Sequence, residues 1–407
     1  MAMMSAMPPR PAGDGARLHL MAEIALSDAA RKQLAPVLDK FEPSEASSYQ
    51  ARVAVERERV PVPWLPYLAL VQIIGCRDLG AAEKTMWQVP FRYDGIEAML
   101  TYEKFGLRLH LDVPHDGDDS QKLAAAIFGK LNAIVKTIEK ETLQNLAEQK
   151  LDNGEVTLLN QQHRLHRAYE HFRTEAEQLL AASEADDTCE LGTIEKGDFL
   201  TRGISKTFER LEIGGFNAIA AINAYFSWLE HILTLALAFG GVDPSGGTLR
   251  DHIGNRWGDK FRRIFNTPDA DANRILGRLH QVAEDYRNTF GHGGFDKHGA
   301  TIGVQIEGIA PIPARLTDVR RSPHFELYPF APLSFREVTA ALDEVDRFLD
   351  EHPTTKFAMT FIKSGFDVPF DPDSRREYAD AMKTRDSFAR FLAKRSEEID
   401  RIENMEF

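Results

Sequence analysis

Twenty-four residues, from Phe216 to Phe239, are almost wholly apolar, with a glycine pair at each end: Gly214-Gly215 before and Gly240-Gly241 after. As one α-helix the run would be about 36 Å long, enough to cross a bilayer. Asn217, Asn223, Ser227, Glu230, His231 and Thr234 interrupt it, and an ionised carboxylate near the middle of a span is costly in lipid. A helix that is apolar on nearly every side, yet not in a membrane, belongs at the centre of a packed bundle. The chain therefore needs further helices to cover it, and no membrane partner is expected. The glycine pairs read as its boundaries, with a separate helix stopping near Gly214-Gly215.

The rest of the chain divides around that centre. Its 407 residues exceed what one core usually serves. Residues 1–16 read as a disordered tail. Residues 17–155 read as an α/β domain, with helical spacing from Ala29 to Phe41. Trp87–Tyr93, Glu97–Tyr102 and Leu107–Val113 alternate apolar and polar residues at period two, which predicts an antiparallel meander. The three prolines of Val60-Pro-Val-Pro-Trp-Leu-Pro argue against regular helix there. A helix is expected over 120–149, capped by Asp119 or Ser120. A polar helix over 157–185 suggests a stalk, so that 156–195 forms a helical stalk and linker. Residues 196–355 read as an α-helical bundle. In it, Ser334-Phe335-Arg336-Glu337 has the form of a capping box. Residues 356–407 read as a helical extension, with a charged helix over 374–403. The fold class expected is α+β: a C-terminal helical bundle and a separate N-terminal mixed domain. Cys76 and Cys189 lie far apart, which fits a reducing cytoplasm rather than a disulfide framework.

Chemistry concentrates where the helix expected over 270–290 runs out, at Tyr286-Arg287-Asn288-Thr289-Phe290-Gly291-His292-Gly293. Arginine holds phosphate through a planar fork of donors. Histidine moves protons near neutral pH, and asparagine can orient either one. Ile275, Leu279, Val282 and Tyr286 share one stripe that should face the core. Arg287 and His292 are five apart and would diverge by about 140° in an unbroken helix. Gly291, Gly293 and Gly294 can loosen the helix, or two copies can pair across a two-fold axis. On the apolar helix, Asn223, Ser227, Glu230 and Thr234 form a polar stripe. Glu230 and Ser227 are the candidates to support Arg287 or His292.

The net charge is −13, unfavourable for a protein that coats nucleic acid at large. Residues 250–297 hold nine Lys or Arg against seven Asp or Glu, a local +2 that leaves −15 elsewhere. Arg256, Lys260, Arg262, Arg263 and Arg278 are the cations placed to meet phosphate.

Arg287-Asn288-Thr289-Phe290-Gly291-His292-Gly293 resembles the Arg-x(4–6)-His signature of the HEPN family (higher eukaryotes and prokaryotes nucleotide-binding). The order of the apolar helix with Glu230, the Trp257-Gly258-Asp259-Lys260-Phe261 segment, the motif helix and the helix from Ser334 is similar too. The similarity covers about 200–352. It implies metal-independent RNA cleavage by a homodimer, without a cofactor. His292 would be the acid/base acting on a ribose 2′-OH, Arg287 would stabilise the phosphorane and Asn288 would orient them. It also implies a toxin or antiviral-defence role, with RNA as substrate and an antitoxin or sensor as a further partner. Some toxins of the family carry a tyrosine two residues after the histidine that a partner modifies. Gly294 stands there in this chain, so that form of control is not expected. The alternative is a non-catalytic module of the same fold that binds a nucleotide or a protein.

A run of His110, Asp112, His115, Asp116, Asp118 and Asp119 follows a strand pattern. It reads as an acidic surface turn, with a metal-dependent hydrolase as the competing possibility. No phosphate loop, dinucleotide fingerprint, nucleophile elbow or Cys-x-x-Cys is present.

Overall fold

The computed structural model describes residues 26–45, 48–114, 117–187, 198–265, 268–287, 302–307, 311–316, 323–325 and 332–404. The tail 1–16 and the linker beyond Asp187 lie outside them, as do Asn288 and His292. The chain is a mixed α+β protein with an antiparallel five-stranded sheet in its N-terminal part and mostly helices after it. It forms two compact units, Met1–Leu151 with Arg385–Phe407, and Asp152–Thr384.

In the first unit, helix α1 (Asp28–Leu38) precedes β1 (Phe41–Pro43) and β2 (Ala51–Ala54). The helix expected to reach Phe41 stops at Leu38, and Phe41 starts a strand instead. Short helix α2 (Trp64–Leu68) runs into a π-helical stretch (Ala69–Ile74). Its start follows Pro63, and Pro66 sits in the first turn, where a missing N–H removes no intrahelical bond. The meander follows as β3 (Thr85–Tyr93), β4 (Ile96–Glu103) and β5 (Gly106–Leu111). Asp94 and Gly95 both have positive φ, 47° and 82°, the conformation a tight two-residue hairpin needs. Sheet order is β1-β3-β4-β5-β2, all pairs antiparallel. The period-two residues Trp87, Val89, Phe91, Leu100, Leu109 and Leu111 are buried in one core with Ile127, Leu131, Ile134 and Ile138. Those four come from α3 (Gly117–Ile138), whose 4-3-4 spacing aims one stripe at the sheet. Its start at Gly117 places Asp119 and Ser120 inside the first turn, not at the cap. A π turn at Glu139–Leu143 joins it to α4 (Gln144–Asp152). Helix α13 (Arg385–Asn404) is assigned to this unit. The C-terminal stretch expected as a single extension is therefore divided between the units.

The second unit opens with β6 (Thr157–Leu158), paired with β10 (Val368–Pro369). Asn160 fastens the same junction: its Nδ2 donates to the carbonyls of Ile362 (2.8 Å) and Phe366 (2.9 Å). Helix α5 (Gln162–Asp187), read as a stalk, instead lies along α6 (Asp198–Ala236). Tyr169, Ala176 and Leu180 supply its buried side. Helix α6 runs straight through Gly214-Gly215, so that glycine pair is not a boundary. A Cβ on Gly214 would stand 3.0 Å from Leu180 Cδ2 and Cγ, so this glycine lets two helices approach closely. A 3-10 turn (Leu237–Phe239) ends the apolar run at Gly240.

Around α6 stand α7 (Thr248–Gly254), α8 (Trp257–Ile264) and α9 (Ala270–Val282). Helices α10 (Pro332–Glu351), α11 (Lys356–Lys363) and α12 (Pro372–Ala381) complete the unit. Helix α10 begins at Pro332, two residues ahead of Ser334, because proline is well suited to a first helical position. The expected capping box therefore lies within the helix. Its core stripe holds as read: Val338, Leu342, Val345 and Leu349 are buried. Strands β7 (Ile302–Val304), β8 (Ile312–Leu316) and β9 (Pro323–Phe325) form a small antiparallel sheet between α9 and α10 in sequence. Among the described residues no helix is long and apolar enough to cross a membrane.

Candidate functional site

Helix α9 delivers the motif. Asp269 caps its start, accepting from Ala272 N at 2.9 Å, and its other oxygen meets His352 Nε2 at 2.8 Å. Ile275, Leu279, Val282 and Tyr286 are all buried, as their spacing predicts. The helix then widens into a π turn over Ala283–Arg287. Such a turn bonds residue i to i+5, so Arg287 stacks over buried Val282 rather than following the α-helical phase. The loosening expected at Gly291 thus begins before Arg287.

The guanidinium of Arg287 lies over the ring of Phe226 on α6, 5.0 Å from its centroid, and is half-buried. Burial pushes its pKa below the usual arginine value, while the charge of Glu230 acts in the opposite sense. Among the described residues Arg287 makes no ion pair. Phe226 and Glu230 are four apart on α6 and so share a face. Trp257 and Lys260, three apart on α8, meet them: the Phe226 and Trp257 centroids are 5.2 Å apart, and Lys260 Nζ lies 3.1 Å from Glu230 Oε1. An aromatic pair and an ion pair therefore stand one turn apart, with Arg287 over Phe226 of the aromatic pair. The charge of Lys260 adds to burial in holding the His231 pKa below its usual value. The Nε2 of His231 accepts from Gln161 N at 2.9 Å.

The cations expected on phosphate fare unequally. Lys260 is a correction: its side chain is only 3% exposed, because it completes the apolar face of α8 beside Trp257 and Phe261 and is spent on Glu230. Arg262 is exposed but holds Asp259 (3.1 Å) and donates to His280 Nε2 (3.2 Å). Arg263 donates to the Thr248 carbonyl at 3.2 Å. Arg278 lies 3.7 Å from Glu344, which Arg274 also holds. Arg256 is exposed at the start of α8.

The polar stripe of α6 mostly satisfies itself. Asn223 Nδ2, Ser227 Oγ and Thr234 Oγ1 each donate to the carbonyl four residues earlier, at 3.0, 2.9 and 2.8 Å. Ser227, expected to support the motif, is exposed and its hydroxyl is used within its own helix. Sequence reasoning missed Phe226, itself packed on Trp257, as the seat of Arg287. The signal was present in Phe226 and Glu230 four apart, and in Trp257 and Lys260 three apart.

No group of three or more His, Cys, Asp or Glu is placed to hold a metal among the described residues. In the His/Asp run, His115 and Asp116 lie outside them. His110 meets Thr101 Oγ1 (3.3 Å) and Glu103 Oε1 (3.5 Å), and burial pushes its pKa down. Compared with protein-family models, with curated proteins and with solved structures, the chain matches none.

Proposed function

We propose that the chain is a metal-independent endoribonuclease of HEPN type, acting in a cleft between two copies as a toxin or antiviral-defence effector in the cytoplasm. One observation carries this reading: Arg287 is half-buried on an aromatic ring, without an ion pair among the described residues, and the nearby carboxylate of Glu230 is committed to Lys260. A partly desolvated guanidinium with no ion pair attracts an anion strongly.

In this mechanism His292 takes the proton from a ribose 2′-OH. The oxygen attacks the adjacent phosphorus, and the bond to the 5′-oxygen of the next nucleotide breaks. That oxygen leaves as a 5′-OH after protonation, and the other product ends in a 2′,3′-cyclic phosphate. Arg287 stabilises the charge on the phosphorane oxygens, and Asn288 orients the pair. Arg287→Ala is expected to slow cleavage about 10²- to 10³-fold, the scale for losing one fixed donor at developing charge. His292→Ala is expected to cost about 10²- to 10⁴-fold. Purified wild type and both variants, incubated with single-stranded RNA and resolved by length, test this. Equal cleavage by all three would refute the assignment.

A second reading, a non-catalytic nucleotide- or protein-binding module, draws on one fact: Lys260, Arg262, Arg263 and Arg278 are engaged within the chain, which thins the cationic surface. Tight nucleotide binding without any change in RNA length would favour it.

A further inference from the structure

We propose that Lys260 is a positioning residue for Arg287: it keeps the Glu230 carboxylate to itself and so leaves the guanidinium available to an anion. The electrostatic part of this stands on the geometry; its consequence for RNA cleavage rests on the ribonuclease reading above.

Three groups share a small volume. Glu230 is the carboxylate, Lys260 its partner at 3.1 Å, and Arg287 the cation over Phe226, one helical turn from Glu230. The sum is one negative and two positive charges. Lys260 is almost wholly buried, and a buried ammonium costs more desolvation than an apolar side chain of the same length. Nothing in the packing of Trp257 and Phe261 requires a charge there. What the charge does is occupy Glu230. Without it, Arg287, which already feels the charge of Glu230, is free to meet that carboxylate. Arginine and a carboxylate form a short, two-pronged pair that fixes both partners. Closing that pair would quench a guanidinium that makes no ion pair among the described residues. The Phe226–Trp257 contact locks the two helices in the register that keeps Lys260, not Arg287, against Glu230.

The full-length chain is the material for the test. In Lys260→Met, kcat on single-stranded RNA is expected to fall about 10- to 100-fold, as for lost transition-state charge stabilisation. KM should move less than about threefold, because the effect is confined to the transition state. The double variant Lys260→Met/Glu230→Gln is expected to recover at least about tenfold of that loss, since the competing carboxylate is gone. A second readout needs no RNA. In protein labelled with [15N]arginine, the Arg287 Nε–H signal is identified by its loss in Arg287→Lys. Its hydrogen exchange should slow in Lys260→Met and return to the wild-type rate in the double variant. Far-UV circular dichroism verifies that both variants fold. A fall in kcat that Glu230→Gln does not restore, or an exchange rate indifferent to Lys260→Met, overturns the proposal. Should the wild-type chain leave RNA intact, the ribonuclease reading falls, and the exchange measurement still decides the role of Lys260.

Discussion

Asp346 and His252 pull the acid stability of the helical unit in opposite directions, and Asp346→Asn separates them. Asp346 accepts from the buried Tyr225 hydroxyl at 2.7 Å. Burial pushes its pKa from 3.8 to about 6; the Tyr225 bond and the charge of Lys363 oppose the shift, and Asp343 and Asp350 reinforce it. The folded state therefore binds this proton more tightly than the unfolded chain. Stability from this group is full below about pH 4 and is lost as pH rises through about 6. A shift of about two units corresponds to about 3 kcal/mol, and partial contact with water lowers the expected effect to about 1–3 kcal/mol. His252 is fully buried; its Nε2 meets the Leu233 carbonyl at 3.2 Å, and Nδ1 has no partner among the described residues. Burial pushes its pKa from 6.5 to about 4. Here the unfolded chain binds the proton first, so stability is lost as pH falls from 6.5 towards 4, by a similar amount. In the wild type the two slopes largely cancel. Asp346→Asn keeps an oxygen for Tyr225 and removes the buried charge. It should be more stable than wild type by about 1–3 kcal/mol at pH 8, with the gap closing to nothing near pH 4. Urea unfolding of both proteins at pH 8, 6 and 4, followed by tryptophan fluorescence, measures the gap. Other shifted groups, such as Asp269 and Asp367, are common to both proteins and drop out of the difference. A gap independent of pH, or a variant less stable at pH 8, would refute the reasoning.

Four further outcomes can be measured. Gly214→Val should lower stability by about 1–3 kcal/mol through overpacking against Leu180. Gly215→Ala, where a Cβ meets nothing within 4 Å, should be neutral or raise stability by about 0.5–1 kcal/mol in thermal unfolding. Of the candidate cations only Arg256 and Arg287 are unengaged among the described residues, four across two subunits, so binding to a 2′-O-methyl RNA should weaken about 50-fold between 50 and 200 mM salt; a loss above about 1,000-fold would mean the bound cations are released to RNA. Chelation with EDTA should leave the rate of RNA cleavage unchanged, and a loss restored by zinc or magnesium would move attention to His110 and Asp112.

The three meander strands and the core stripes of α3, α9 and α10 were legible because each repeats its period several times. Strands β1 and β2 were not, since three and four residues are too few to show a period. Glycine gave the clearest misreading. Gly214 stands in mid-helix because Leu180 leaves no room for a side chain, and Gly240 stands where the helix ends. Both functions select the same residue, so a glycine pair marks a special backbone position without saying which kind. Ser334 misled for a similar reason: the box pattern was present, but Pro332 had already begun the helix.

Lys260 shows how the candidate site could have been read more closely. Counting cations treats every lysine as available to solvent. Helix geometry does not: Trp257, Lys260, Phe261 and Ile264 stand at i, i+3, i+4 and i+7, the spacing of a core face. A lysine on such a face must either pull its head out to water or find a carboxylate. The apolar helix from Phe216 to Phe239 offers a single acidic residue, Glu230. A base on one greasy face and an acid on another are each expensive alone and compatible only together, so their pairing follows from cost rather than from any motif. Once Glu230 is assigned to Lys260 in this way, Arg287 is left without its expected partner. That shortage of negative charge, more than the arginine–histidine spacing, is what supports the proposed anion site.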